Sequence, residues 1–225
     1  MITLHHCVSA RSFRPLWALE EIGVPYELKM LPFPPRVLAH AFKEVNPLGT
    51  IPVLTDGDDG VLFMTESSAM CQYLAARYSP GALDVAPHEA DFARYLNFLH
   101  FGEATLTFPQ TLVLRYAHLE PLERRQPQIV EDYARWFHAR LRTLAPLLDA
   151  QPFLCAGRFT AADISVGYAL MLAELLGLSE RFAPSIAQYW QRLSEREGFL
   201  RAMRAQEAAA LSQDVSTVPA PQLRP

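Results

Sequence analysis

The spacing of hydrophobic positions changes near residue 80, and the two sides of that change predict different structure. Residues 2–6 form a short β-like run. Residues 13–23 carry Leu16, Trp17, Leu19, Glu20 and Ile22 in a helical stretch that Gly23 and Pro25 stop. Tyr26 to Leu31 reads as a second strand, and residues 36–45 as a short helix before Asn46-Pro47. Val53 to Thr55 and Val61 to Met64 read as strands flanking the turn Asp56-Gly57-Asp58-Asp59-Gly60. Residues 66–78 read as a helix that ends before Ser79-Pro80-Gly81. The order βαβ-α-ββ-α predicts a small α/β domain over 1–78, with a mixed four-stranded sheet.

Beyond a linker at 79–88 the period becomes helical and no strand candidate remains. Phe137, Leu141, Leu144 and Leu148 are four, three and four apart and share one helix face. The segments 89–116, 124–149, 161–177 and 184–205 predict an all-α helical-bundle domain over 89–206. Thr160-Ala161-Ala162-Asp163 has the form of an N-terminal capping box, with Phe159 and Ile164 placed as its hydrophobic staple. This motif is read as structural. Residues 207–225, with Pro219, Pro221 and Pro225, predict a mobile tail.

Composition narrows the function. The chain has 225 residues, half of them apolar, enough for two domains with real cores. A formal charge of −4 argues against nucleic acid as a partner. No apolar run approaches membrane-spanning length, and no basic stretch leads into an apolar one at the N-terminus. Cys7, Cys71 and Cys155 lie far apart, without metal spacing or a Cys-x-x-Cys motif. A reducing, cytoplasmic setting and no metal are expected.

The chemistry concentrates in Asn46-Pro-Leu-Gly-Thr-Ile-Pro-Val-Leu54 and in Thr65-Glu-Ser-Ser68. Pro52 cannot donate to a β-ladder, so it belongs at a strand's entry or in a turn. Ile51 can offer its backbone N–H and C=O to an extended ligand, as an added strand would. Ser67 and the first N–H groups of the following helix can hold a carboxylate, and Glu66 an ammonium. A γ-glutamyl tripeptide carries all three features.

Four pieces, Ser12-Phe-Arg-Pro-Leu-Trp-Ala-Leu-Glu-Glu-Ile-Gly-Val-Pro-Tyr26, Asn46-Pro-Leu-Gly-Thr-Ile-Pro-Val-Leu54, Glu66-Ser-Ser-Ala-Met-Cys-Gln-Tyr-Leu74 and Phe159-Thr-Ala-Ala-Asp-Ile164, complete a resemblance over nearly the whole chain. In order and spacing the four pieces resemble the cytosolic glutathione transferase superfamily. The resemblance implies a thioredoxin-like N-terminal domain followed by the helical domain. It implies glutathione as co-substrate, a small hydrophobic electrophile as second substrate, a homodimer, and a cis Ile51–Pro52 bond.

The implied reaction needs glutathione as thiolate, yet a thiol of pKa near 8.5 is only a few per cent ionised at pH 7. Lowering that pKa by about two units takes roughly 2.7 kcal/mol of preferential stabilisation. A hydroxyl donor and a helix N-terminus can supply it, which points to the loop between strand one and helix one. Cys7, Ser9 and Ser12 stand there. Ser9 lies five residues before Arg14, the count found in several serine- or cysteine-type classes of the family; Ala10, four before, has no donor. Ser9 reads as the thiol's donor or as an ordinary loop serine. Ser12 is the second candidate donor, or the cap of helix one. Cys7, at the end of an apolar strand, reads as buried and inert.

Arg11 and Arg14 can each meet a ligand carboxylate or stand in solvent, and Lys43 can reach the glycyl end of glutathione. Thr50 departs from the family, in which many members carry lysine or arginine, so a charge contact to the glycyl carboxylate is absent there. The candidate binding set is therefore Ile51, Pro52, Glu66, Ser67, Thr50, Lys43 and Arg11. Tyr95, Phe98, Phe101, Phe108 and Tyr116 are candidates to line the electrophile pocket, or core. Fold alone leaves two alternatives open: a non-catalytic binding or assembly module, and a glutathione-dependent thiol reductase or isomerase. The reductase wants a reactive cysteine where Ser9 stands, and the isomerase a Ser-Ser-Cys-Ser motif that Val8-Ser-Ala-Arg11 does not match.

Overall fold

In the computed structural model, which describes residues 1–57 and 62–219, strand β1 (Ile2–His6) leads through helix α1 (Phe13–Ile22) to strand β2 (Tyr26–Met30). Helical turns α2 (Pro35–Leu38) and α3 (Phe42–Val45) follow, then strands β3 (Val53–Asp56) and β4 (Leu62–Met64) and helix α4 (Ser67–Tyr78). The sheet order is β2-β1-β3-β4, with β1 and β2 parallel and the other two pairings antiparallel. This is the expected mixed four-stranded sheet. Along β1, Ile2, Leu4 and His6 are buried while Thr3 and His5 are half-buried, the period of two that a pleated strand imposes. Much of the expected turn at 56–60 lies outside the described residues, as does Val61 of the expected fourth strand.

The single helix expected over 36–45 is two separate turns. Ala39 leaves helical geometry between them, and its side chain packs on the cluster of Cys7, Phe42, Ile51 and Val53. Burying that side chain and Phe42 outweighs one continued turn of helix.

The unit over Pro80–Glu195 is helical, with one isolated bridge between Cys155 and Arg158 among its described residues. Helix α5 (Phe92–His100) passes through a π-helical turn (Phe101–Thr107) into α6 (Phe108–Leu114) and a second π turn (Arg115–Leu119). A Cβ at Gly102 would meet Ser165 backbone at 2.5 Å, so glycine permits this close approach. Thr107 donates its hydroxyl to the Gly102 carbonyl at 2.8 Å, and Pro109 offers no N–H to the turn below it. The unit continues with α7 (Pro127–Leu141), α8 (Ala145–Ala150), α9 (Ala161–Leu175) and α10 (Pro184–Ser194). Helix α9 is buried from Ala161 to Ala173, and Asp163 at its start accepts from the Thr160 and Leu154 amides at 2.9 and 3.0 Å and from the Tyr189 hydroxyl at 2.8 Å.

The last helix, α11 (Glu197–Ser212), corrects the expected boundaries. The helix expected over 184–205 breaks at Arg196, whose backbone is extended, and residues 196–219 belong to one unit with Met1–Ser79. The helical domain thus ends at Glu195 rather than 206, and residues 207–212 continue a helix rather than open a tail. Residues 220–225 of that expected tail lie outside the described residues. The reason is packing on α1. Phe199 sets its ring edge-on to Trp17 and Phe13, with centroids 5.0 and 5.4 Å away, and Arg196 grips Glu21 through two bonds of 2.8 and 2.9 Å.

Candidate functional site

Sheet register brings the candidate segments to one end of the N-terminal unit. His5 pairs with Val53 and Leu54 with Met64. The loop after β1, the entry to β3 and the exit from β4 therefore meet at the same edge of the sheet. Those are the segments of Ser9 and Ser12, of Thr50 to Pro52, and of Glu66 and Ser67. Helices α1 and α4 both start at this end, so the positive end of each helix dipole faces it; in α1 the Phe13 and Arg14 amides are already bonded to the Ala10 and Arg11 carbonyls. Two contacts tie the segments together. Cys7 and Ile51 share one buried cluster. Arg14, on α1, donates through Nη1 to Ser67 Oγ at 3.1 Å.

The entry to β3 is built by Asn46. Its Oδ1 accepts the Leu48 amide at 3.1 Å, and its Nδ2 donates to the Thr50 carbonyl at 2.8 Å. Gly49 closes the turn at φ 61°, donating to the Asn46 carbonyl at 2.8 Å. The Ile51–Pro52 bond that follows is cis, as is Phe33–Pro34. Ile51 and Pro52 are buried, Thr50 is half-buried, and Lys43 and Arg11 are exposed. Glu66 is exposed at the N-cap of α4, whereas Ser67 and Ser68 are buried beneath it.

In the loop after β1 the candidates separate. Ser12 is fully buried, and its hydroxyl accepts from the Cys7 amide at 3.2 Å and donates to the Cys7 carbonyl at 3.4 Å. It stands at the N-cap position of α1, yet its side chain makes no cap bond. It braces the loop, and neither the expected cap nor an open donor describes it. Ser9 sits at φ 53°, a left-handed backbone that costs a non-glycine residue about 1–2 kcal/mol. Such strain persists only where surrounding contacts enforce it. Cys7 has no exposed surface, and burial pushes its thiol up to about 12. Arg14, read from the sequence as a partner for a ligand carboxylate or a solvated arginine, is fully buried and donates to Ser67.

A family model for the glutathione S-transferase N-terminal domain matches residues 8–77, the stretch that carries these groups apart from Cys7. Glutathione S-transferase 3 of Schizosaccharomyces pombe is 26% identical over 87% of this chain and 84% of its own length. Glutathione S-transferase GstB of Escherichia coli K12 is 26% identical over 80% of the chain and 86% of its own. Over most of its length the chain is similar to glutathione S-transferases. Among solved structures, the glutathione transferase URE2P6 of Phanerochaete chrysosporium, in complex with oxidized glutathione, superposes with a TM-score of 0.80. It is 26% identical and covers 91% of this chain and 95% of that one. The N-terminal sheet and helices are accordingly thioredoxin-like.

Two further residues, Gln206 and His6, meet the Ser9 loop. Gln206 Oε1 accepts the Ser9 amide at 2.9 Å and lies 3.0 Å from His6 Nε2. His6 is fully buried, and burial, opposed by the bond to Gln206, lowers its pKa to about 4. The ring is neutral at pH 7 and, facing an oxygen, carries its proton on Nε2. In the sequence His5 and His6 read as strand histidines of which one lines the site or packs, whereas Gln206 is only a polar position about 200 residues away. Neither carries a local signal. Among the described residues, no group of three or more His, Cys, Asp or Glu is arranged to hold a metal ion, and no helix is long and apolar enough to cross a membrane.

Proposed function

We propose that the chain is a glutathione transferase that binds glutathione at this end of the sheet and presents its sulfur to the Ser9 hydroxyl. The observation that carries the reading is the convergence of the Ser9 loop, the cis Ile51–Pro52 entry and the Glu66-Ser67 helix start. Ile51 offers its backbone to the cysteinyl residue as a neighbouring strand would. Glu66 takes the γ-glutamyl ammonium, and Ser67 with the N-terminus of α4 takes the adjoining carboxylate. Arg14 fixes the Ser67 hydroxyl, so no rotamer is lost there on binding. Lys43 and Arg11 are the exposed cations within the set, and they serve the glycyl end where Thr50 brings no charge.

In the reaction the Ser9 hydroxyl donates to the sulfur and the α1 N-terminus adds positive potential, so the thiolate is populated near neutral pH. The thiolate then attacks the electrophilic carbon of a small hydrophobic second substrate; a C–S bond forms and the leaving group departs with the electron pair. The thiol reductase reading loses support, because its nearest cysteine, Cys7, is buried with its thiol held protonated. Cys7, Cys71 and Cys155, three buried thiols, support a reducing, cytoplasmic setting. The working form is a homodimer, for which sedimentation should give twice the 25.3 kDa chain mass at micromolar concentration.

Retention on immobilised glutathione, followed by conjugation of chlorodinitrobenzene, tests the proposal. Binding with conjugation supports it. Binding without conjugation favours a glutathione-binding module. Neither would remove the transferase reading altogether.

A further inference from the structure

The strained conformation of Ser9 has its support in α11, a helix that sequence reading set apart from the N-terminal domain. Gln206 is buried, and its side-chain amide meets Ser9 twice. Oε1 accepts the Ser9 N–H at 2.9 Å, and Nε2 approaches the Ser9 Oγ at 3.5 Å and Met203 Sδ at 3.3 Å. The second lone pair of Oε1 takes the His6 Nε2 proton at 3.0 Å. That bond prevents the amide from flipping, since a flip would set two donors against His6 and Ser9. Chemistry follows from this polarity. A donor aimed at the Ser9 oxygen occupies its lone pair and leaves the hydroxyl proton to point elsewhere, and bonds chained in this way strengthen one another.

We propose that Gln206 is a positioning residue for Ser9, holding the backbone and hydroxyl of the candidate donor from the C-terminal helix. His6 locks the Gln206 amide, and Gln206 locks Ser9. The inference rests on the reading of Ser9 as donor to the glutathione sulfur. The helix that carries Gln206 is itself fixed on α1 by the Arg196–Glu21 pair and by Phe199, so the grip has a rigid base.

The test uses the full chain with Gln206→Met, which keeps length and removes both polar contacts, and Gln206→Glu, which keeps the acceptor for the Ser9 amide. Three quantities are read: amide hydrogen exchange at Ser9 without ligand, glutathione affinity by calorimetry, and the pH profile of kcat/KM with chlorodinitrobenzene. Gln206→Met should speed Ser9 exchange at least tenfold while leaving the Leu4 amide protected. It should move the acid limb of kcat/KM upward, with roughly tenfold lost at neutral pH for each pH unit moved, and leave glutathione affinity within about twofold. Gln206→Glu should restore slow exchange at Ser9, a rescue that a general packing role does not give. Unchanged exchange at Ser9 in Gln206→Met overturns the proposal. So does faster exchange with an unmoved pH profile in an active enzyme. If the unaltered protein neither binds nor conjugates glutathione, the transferase reading fails by itself, and Ser9 exchange still decides whether Gln206 holds that residue.

Discussion

Arg14 reaches from α1 to donate to Ser67 Oγ at 3.1 Å, and both residues are buried. The bond joins the two helix starts that flank the candidate site. It also separates the roles of Ser67 and its neighbour Glu66, which is exposed.

Ser67→Ala should lower both stability and glutathione affinity. It removes an acceptor from a buried guanidinium, a loss of about 1.5–3 kcal/mol in unfolding free energy. Glu66→Ala should leave stability within about 0.5 kcal/mol and weaken glutathione binding by about 1.5–3 kcal/mol. Urea titration and calorimetry on the two variants give the comparison. Unchanged affinity in Glu66→Ala refutes the placement of the γ-glutamyl ammonium.

Ser9→Ala should lower turnover and spare glutathione affinity, because the peptide is anchored elsewhere. The loss is roughly tenfold for each pKa unit by which the bound thiol rises, read from the pH profile of kcat. Ser12→Ala should instead destabilise by about 1–3 kcal/mol, since it strips the Cys7 amide of its buried acceptor. Full activity in Ser9→Ala would refute its role as donor.

Gln213 extends the sheet from outside it. Its Oε1 accepts the Met30 amide at 2.8 Å, and its Nε2 donates to the Leu28 carbonyl at 2.8 Å, so one side chain pairs with edge strand β2 as a neighbouring strand would. Gln213→Ala should cost about 1–2 kcal/mol in denaturant unfolding. Amide exchange at Met30 should accelerate in the same variant.

His6 makes stability depend on pH. Its folded pKa of about 4 lies below the ordinary histidine value of 6.5, so its neutral form is the one the fold accepts. The contribution is complete above about pH 6.5 and is lost as pH falls toward 4, a span worth about 3 kcal/mol. Asp163, raised to about 6 by burial, titrates with the opposite sign and loses its contribution as pH rises through that value. The measurement is therefore the difference between the unaltered protein and His6→Gln, in which Asp163 remains. Between pH 6.5 and 4.5 the unaltered protein should lose more stability than the variant by about 2–3 kcal/mol.

Local pattern was enough for the elements that local energetics govern. The period-two burial of β1, the Gly23 stop of α1 and the capping box at Thr160 and Asp163 each depend on residues within a few positions. The same holds for the Asn46 turn and the Ile51-Pro52 entry, whose bonds span two to four residues. Those short motifs also carried the family resemblance and the binding segments, because a ligand's backbone and charges are met by short runs of chain. Tertiary structure alone decided the rest. Arg14 became an internal support because α4 lies over it, Ser12 a brace because the loop folds onto Cys7, and α11 a part of the N-terminal unit because Trp17 and Glu21 receive it. The tie from Gln206 to Ser9 spans 197 residues, and that to His6 spans 200. No periodicity encodes such a pair, since the free energy that joins it appears only when burial has removed water from both partners.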